Sequence, residues 1–116
     1  GVEFFQTQYV FEKNILKNYM LKLNELNITE KAYFIIGLGV IKSAKSARWM
    51  NKNLFGINIP EELINRIEQS NDESNEGIKI CIELIEKYKS IEGVSGIHLM
   101  GYKQEKEIAS VISNFK

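Results

Sequence analysis

The chain holds one cysteine, one proline and one histidine, and it has no surplus of charge of either sign. Each shortage excludes something. With Cys81 alone no intramolecular disulfide can form, which suits a reducing compartment, and its place in an apolar helical pattern makes it a core residue. His98 has no Cys, Asp or Glu at ligand spacing, so a metal centre is not expected and the imidazole reads as a hydrogen-bonded interior group. Fifteen Lys and Arg balance fifteen Asp and Glu, and no global field draws the chain to nucleic acid or to an anionic membrane. No apolar run approaches the roughly 18 residues of a membrane span. No basic stretch leads into an apolar signal segment. A cytoplasmic protein without nucleic-acid or membrane partners is the expectation.

What is present is ordinary for a packed domain: 116 residues, 44% apolar and 26% charged. Residues 1–116 are therefore read as a single segment. A β-rich run, Val2 to Tyr9, stands at the very start, as expected where a segment belongs to a longer chain. From Glu12 to Leu26 the apolar residues Ile15, Leu16, Tyr19, Met20, Leu23 and Leu26 keep helical spacing and predict one buried face. Ala32 to Leu38 is an almost continuous apolar run, the pattern of a parallel strand covered on both faces. Ser43 can cap a helix reaching about Asn53. Pro60, Glu61 and Glu62 suit the first turn of a short helix ending near Gln69. Ser70 to Asn75 reads as an exposed loop, and Ile78, Cys81, Ile82, Ile85 and Tyr88 as the stripe of a long helix to about Ile91. Val94 to Met100 is the third strand, and Ile108, Val111, Ile112 and Phe115 mark the last helix.

Strands that alternate with helices imply right-handed crossovers and a parallel sheet. A doubly wound sheet usually carries a glycine-rich phosphate turn after its first strand, and Gln8-Tyr9-Val10-Phe11 is unlike one. The fold class that remains is α/β: part of a TIM-type (β/α)8 barrel, with three strand-helix units and parallel strands. Three such strands leave two open edges and one uncovered face. The active site of a barrel lies at the C-terminal ends of its strands, here Thr7 to Tyr9, Gly37 to Ser46 and Met100 to Gln104.

Gln8 carries an amide that donates and accepts together, which suits either the edge of a flat heterocycle or a loop cap. Gly37, Gly39, Lys42, Ser43 and Lys45 could form a phosphate cradle, but the Gly-Lys-Ser/Thr ending is missing and an ordinary strand-to-helix turn competes. Trp49 and Met50 end a helix, one facing solvent or a partner and the other the strand mouth. Glu61 and Glu62 at a helix start read as solvated capping groups rather than acid-base catalysts.

Three stretches share a resemblance. Phe4 to Glu12 (FFQTQYVFE), Gly37 to Ile64 (GLGVIKSAKSARWMNKNLFGINIPEELI) and Gly93 to Glu105 (GVSGIHLMGYKQE) resemble the last three barrel units of methylenetetrahydrofolate reductases. Such enzymes are FAD-dependent barrels that carry a hydride from a reduced nicotinamide to methylenetetrahydrofolate. The resemblance implies that Gln8 binds the pterin ring. It places Ser46 and Met50 where other members have a glutamine and a phenylalanine that touch substrate or nicotinamide. Tyr102 and Gln104 fall near the benzoyl portion, where those members have an aliphatic residue and an arginine.

The resemblance also implies that the acidic residues acting on the folate and most FAD contacts come from five earlier units, so neither catalytic residues nor FAD binding is expected of this segment alone. Two functional classes follow. One is the C-terminal portion of such a flavoenzyme, with folate and reduced nicotinamide as substrates of the whole. The other is a non-catalytic part-barrel that forms a homo-oligomer or associates with the remaining barrel through its open edges and face.

Overall fold

The apolar run Ala32–Leu38 forms the middle strand, β2, of a three-stranded sheet in a computed structural model that describes residues 3–30, 32–101 and 104–115. Strand β1 (Glu3–Tyr9) lies on one side of it and β3 (Val94–Leu99) on the other, and both pair with it in parallel. Helix α1 (Lys13–Glu25) and a short 3-10 turn (Ile28–Glu30) link β1 to β2. Three helices, α2 (Ala44–Asn53), α3 (Glu61–Glu68) and α4 (Glu73–Lys89), link β2 to β3, and α5 (Glu105–Asn114) follows. This is the expected order of three parallel strand-helix units, the arrangement of part of a β/α barrel. Both β1 and β3 keep an open outer edge among the described residues.

One face of the sheet carries the core. Phe34, Ile36 and Leu38 of β2 are buried against Leu16 and Met20 of α1, Ile80, Cys81, Leu84 and Tyr88 of α4 and Val111 of α5. Each such aliphatic side chain removed from water contributes about 1.5–3 kcal/mol, which holds the helices to the sheet. The other face is open. Phe4 stacks on Tyr33 at 5.2 Å, yet the two remain 66% and 48% exposed.

This is the one uncovered face expected of three barrel strands, since every helix with buried residues packs into the one core and, among the described residues, β2 is covered on a single face. The expectation for His98 is corrected. It occupies the open face opposite Gly37 and is exposed rather than interior. The stripe of α1 is only partly used, since Ile15, Tyr19 and Leu26 point outward where nothing among the described residues lies beyond β1.

Helix α4 begins earlier than expected. Ser70 to Asn75 is not all loop, because the Asp72 carboxylate accepts the Asn75 N–H at 3.2 Å and caps the helix. Glu73 and Glu76 then sit in the first turn, where the helix dipole favours anions. At Gly77 the helix backbone crosses the loop after β2 so closely that a Cβ would lie 1.8 Å from the Ile41 carbonyl oxygen. Pro60 stands just before α3 rather than inside it. Arg66 ties α3 to α4, donating to Glu76 at 2.6 Å and to both oxygens of Glu83.

Candidate functional site

Strand β1 is irregular near its C-terminal end. Gln6 pairs with Ile35, but the next pair is Tyr9 with Gly37, so Thr7 and Gln8 together face the single residue Ile36. An extra residue of this kind breaks the ladder and re-aims the side chains beyond it. Thr7 repairs the break: its hydroxyl accepts the Gly37 N–H at 2.9 Å and donates to the Gln8 carbonyl at 2.8 Å. Past the bulge the ladder resumes, with the Val10 N–H on the Gly37 carbonyl at 3.0 Å. Gly37 must be small there, since a Cβ would meet the Thr7 and Gln8 carbonyl oxygens at 2.6 and 2.9 Å. Without the extra residue Tyr9 would stand opposite the buried Leu38. With it, Tyr9 stands opposite Gly37 at the strand mouth.

Two hollows open at this end. The larger, about 590 Å³, is bounded by Gln6, Thr7, Gln8 and Tyr9 of β1, by Asn53 at the end of α2 with Leu54, Phe55 and Ile57 after it, and by Met100 after β3. The smaller, about 340 Å³, is bounded by Tyr9, Phe11, Gly39, Val40, Ser46, Trp49, Met50, Leu54, Gly101 and Gln104. Tyr9 and Leu54 border both. Mostly apolar hollows of this size, with a few polar groups, are usual for small-molecule sites.

The structure places Gln8 in the larger hollow, exposed, with its amide oxygen turned toward Gly56. It brings Ser46, Met50 and Gln104 together in the smaller one. Ser46 and Met50 are half-buried on successive turns of α2. The Gln104 amide donates to the Val40 carbonyl at 3.0 Å and latches the loop after β3 to the loop after β2. Tyr102 lies outside the described residues. Trp49 is mainly exposed at the rim. Thr7 stands in the strand end that the sequence singles out, but its part in the bulge is not legible there, since a bulge has no signature in a run of β-forming residues. Tyr9 belongs to the same strand end, and its aromatic ring at the mouth is a signal to which the sequence alone attaches no role.

The phosphate-cradle reading of the loop after β2 is not supported. The α2 N-terminus already has its partners: Ser43 accepts the Ser46 N–H at 3.0 Å, and the Glu73 carboxylate accepts the Ala44 N–H at 2.9 Å. A carboxylate at this helix end repels a phosphate where a free N-terminus would attract it. Among the described residues no three His, Cys, Asp or Glu side chains cluster as a metal site. No helix among them is long and apolar enough to cross a membrane. Burial raises the Tyr9 phenol above its ordinary value, so it stays protonated at neutral pH.

Parallel strands, helices covering one face and hollows at the C-terminal mouths define part of an enzyme barrel of the β/α class. The sequence profile of the methylenetetrahydrofolate reductase family matches residues 1–116, and the chain belongs to that family. No curated protein matches it significantly. The family consists of oxidoreductases that are generally FAD-dependent, with folate and nicotinamide substrates. The two hollows do not fit the phosphates of a flavin dinucleotide: among the described residues no Lys or Arg lines them, and the adjacent helix end is already capped.

Proposed function

We propose that this chain supplies the last three β/α units of a methylenetetrahydrofolate reductase barrel as one segment, residues 1–116, and forms the folate side of its pocket. The observation that carries this reading is Gln8 held at a strand mouth by the Thr7 bulge, with its amide facing a hollow and, among the described residues, without a hydrogen-bond partner. An amide so placed donates to and accepts from the edge of a pterin ring at once. In the neighbouring hollow Ser46 and Met50 meet the substrate or the nicotinamide and Gln104 lies near the benzoyl portion, a role the resemblance also gives to Tyr102, which is outside the described residues.

In the complete enzyme FAD supplies the hydride chemistry. The flavin phosphates and the acidic group that acts on the folate belong to units outside this segment, so the segment alone is inactive. What these residues do is bind and orient. Gln8 fixes the ring by hydrogen bonds. The Gln104 latch on Val40 keeps the two loops at a set separation, and the apolar walls of Met50 and Leu54 exclude water.

Joining the chain to the five preceding units of a family member tests the reading. The restored barrel is expected to bind flavin and to oxidise reduced nicotinamide in the presence of methylenetetrahydrofolate. A folded barrel that does neither refutes it.

A second reading concerns the segment by itself. The stacked but exposed Phe4 and Tyr33 and the open edges of β1 and β3 favour association, either with a second copy or with the rest of the barrel. Sedimentation separates the cases: a stable monomer at micromolar concentration counts against self-association.

A further inference from the structure

We propose that Tyr9 is a further substrate-positioning residue, the wall shared by the two hollows, against which the part of a reduced folate between its pterin ring and its aryl arm is packed. The inference rests on the folate-side reading above and adds to it a residue placed by geometry alone. Tyr9 borders the hollow of Gln8 and also the hollow of Ser46, Met50 and Gln104. A ligand long enough to occupy both must pass its ring.

The ring is held from several directions. The extra residue of β1 sets Tyr9 opposite Gly37 instead of Leu38. Phe11 packs against it at 5.7 Å between centroids. Gly39 provides the clearance, since a Cβ there would stand 2.8 Å from Tyr9 Cε1 and 2.7 Å from the Met100 carbonyl oxygen. A half-buried aromatic ring held so closely offers a flat ligand an apolar surface at low entropic cost. Among the described residues its hydroxyl has no partner, and burial keeps it protonated, so it is free to donate to a ligand.

The test uses a complete barrel containing this segment, loaded with flavin, with Tyr9→Leu, Tyr9→Phe and Gln8→Ala variants. Two probes are titrated: tetrahydrofolate, and a tetrahydropterin that lacks the aryl arm. Tyr9→Leu is expected to weaken tetrahydrofolate binding about tenfold, which corresponds to losing one good aromatic contact. It should leave the short pterin within about twofold, since the loss is one contact to the arm. Tyr9→Phe, which keeps the ring, should lose only about threefold, the share of one neutral hydrogen bond. Gln8→Ala should weaken both probes.

Undiminished tetrahydrofolate binding in Tyr9→Leu overturns the proposal, as does an equal loss for both probes, which would mark a general disturbance of the mouth. If Gln8→Ala weakens both probes while Tyr9→Leu weakens neither, the folate-side reading stands and the Tyr9 role falls. If neither variant matters, both fall.

Discussion

The Thr7 hydroxyl stands 2.9 Å from the backbone nitrogen of Gly37 and closes the rung that the extra residue of β1 leaves open. A side chain thus substitutes for a backbone carbonyl at the point where the strand turns its side chains toward the hollows. The placement of Gln8 and Tyr9 depends on that substitution.

Replacing Thr7 by Val keeps the shape and removes the acceptor. The part-buried Gly37 N–H then loses its partner, and the cost expected is about 1–2 kcal/mol in unfolding free energy. Thr7→Ser should recover most of it. Denaturant unfolding of the three proteins checks the order, and equal midpoints for Val and wild type would show that the hydroxyl is dispensable.

The order of elements was legible in the sequence because each follows from local pattern: the apolar run of β2, the stripe of α4, the Ser43 cap. The site was legible only in part. Gln8 could be singled out by its chemistry at a strand end. The bulge that directs it could not, because Thr7 and Gly37 are 30 residues apart in sequence and their pairing is a tertiary fact. His98 and the outer half of the α1 stripe were misjudged for a related reason. Periodicity tells which residues share a face, and it does not tell whether anything covers that face. The start of α4 was missed because Ser70 to Asn75 has loop composition throughout, and only the Asp72 cap divides turn from helix.

Gly77 and Gly96 make a contrasting pair. A Cβ on Gly77 would collide with the Ile41 backbone, whereas one on Gly96 meets nothing within 4 Å. Gly77→Ala is expected to destabilise by at least about 1–3 kcal/mol, because α4 must shift off the loop after β2. Gly96→Ala should be neutral or slightly stabilising, since a residue that can adopt the native backbone restricts the unfolded chain. Thermal midpoints decide, and a Gly77→Ala protein as stable as wild type would contradict the close crossing.

Two buried acids set the alkaline limit. Burial pushes the Cys81 thiol from its ordinary 9.0 up to about 12. The Tyr88 phenol is also raised, mainly by burial and further by the nearby Glu12, while its hydroxyl donates to the Val10 carbonyl at 2.6 Å. Above pH 9 the unfolded chain releases protons that the folded chain retains, so unfolding becomes easier as pH rises. Each group adds a slope of about 1.4 kcal/mol per pH unit once its unfolded form has ionised. Cys81→Ala should remove the earlier part of the decline and Tyr88→Phe the later part. Stability that stays level from pH 8 to 11 would contradict the burial of both.

Arg66 joins Glu76 and Glu83 on the outer surface. Its guanidinium fork suits two carboxylates at once, and a lysine cannot reproduce that geometry. Arg66→Lys is expected to cost about 0.5–1 kcal/mol at low salt, with the difference shrinking as ionic strength rises. Paired denaturation curves at low and high salt check this, and a cost that does not change with salt would mean that packing, not charge, carries the contact.

The role given to Gln8 is tested most directly by following its side-chain amide by NMR in an assembled, flavin-loaded barrel as tetrahydrofolate is added. The account predicts that the Gln8 NH2 signals move and saturate with the ligand. The amide of Asn51, fixed to both backbone groups of Ile59, should stay in place. Gln8 signals unmoved at saturating tetrahydrofolate would contradict the account.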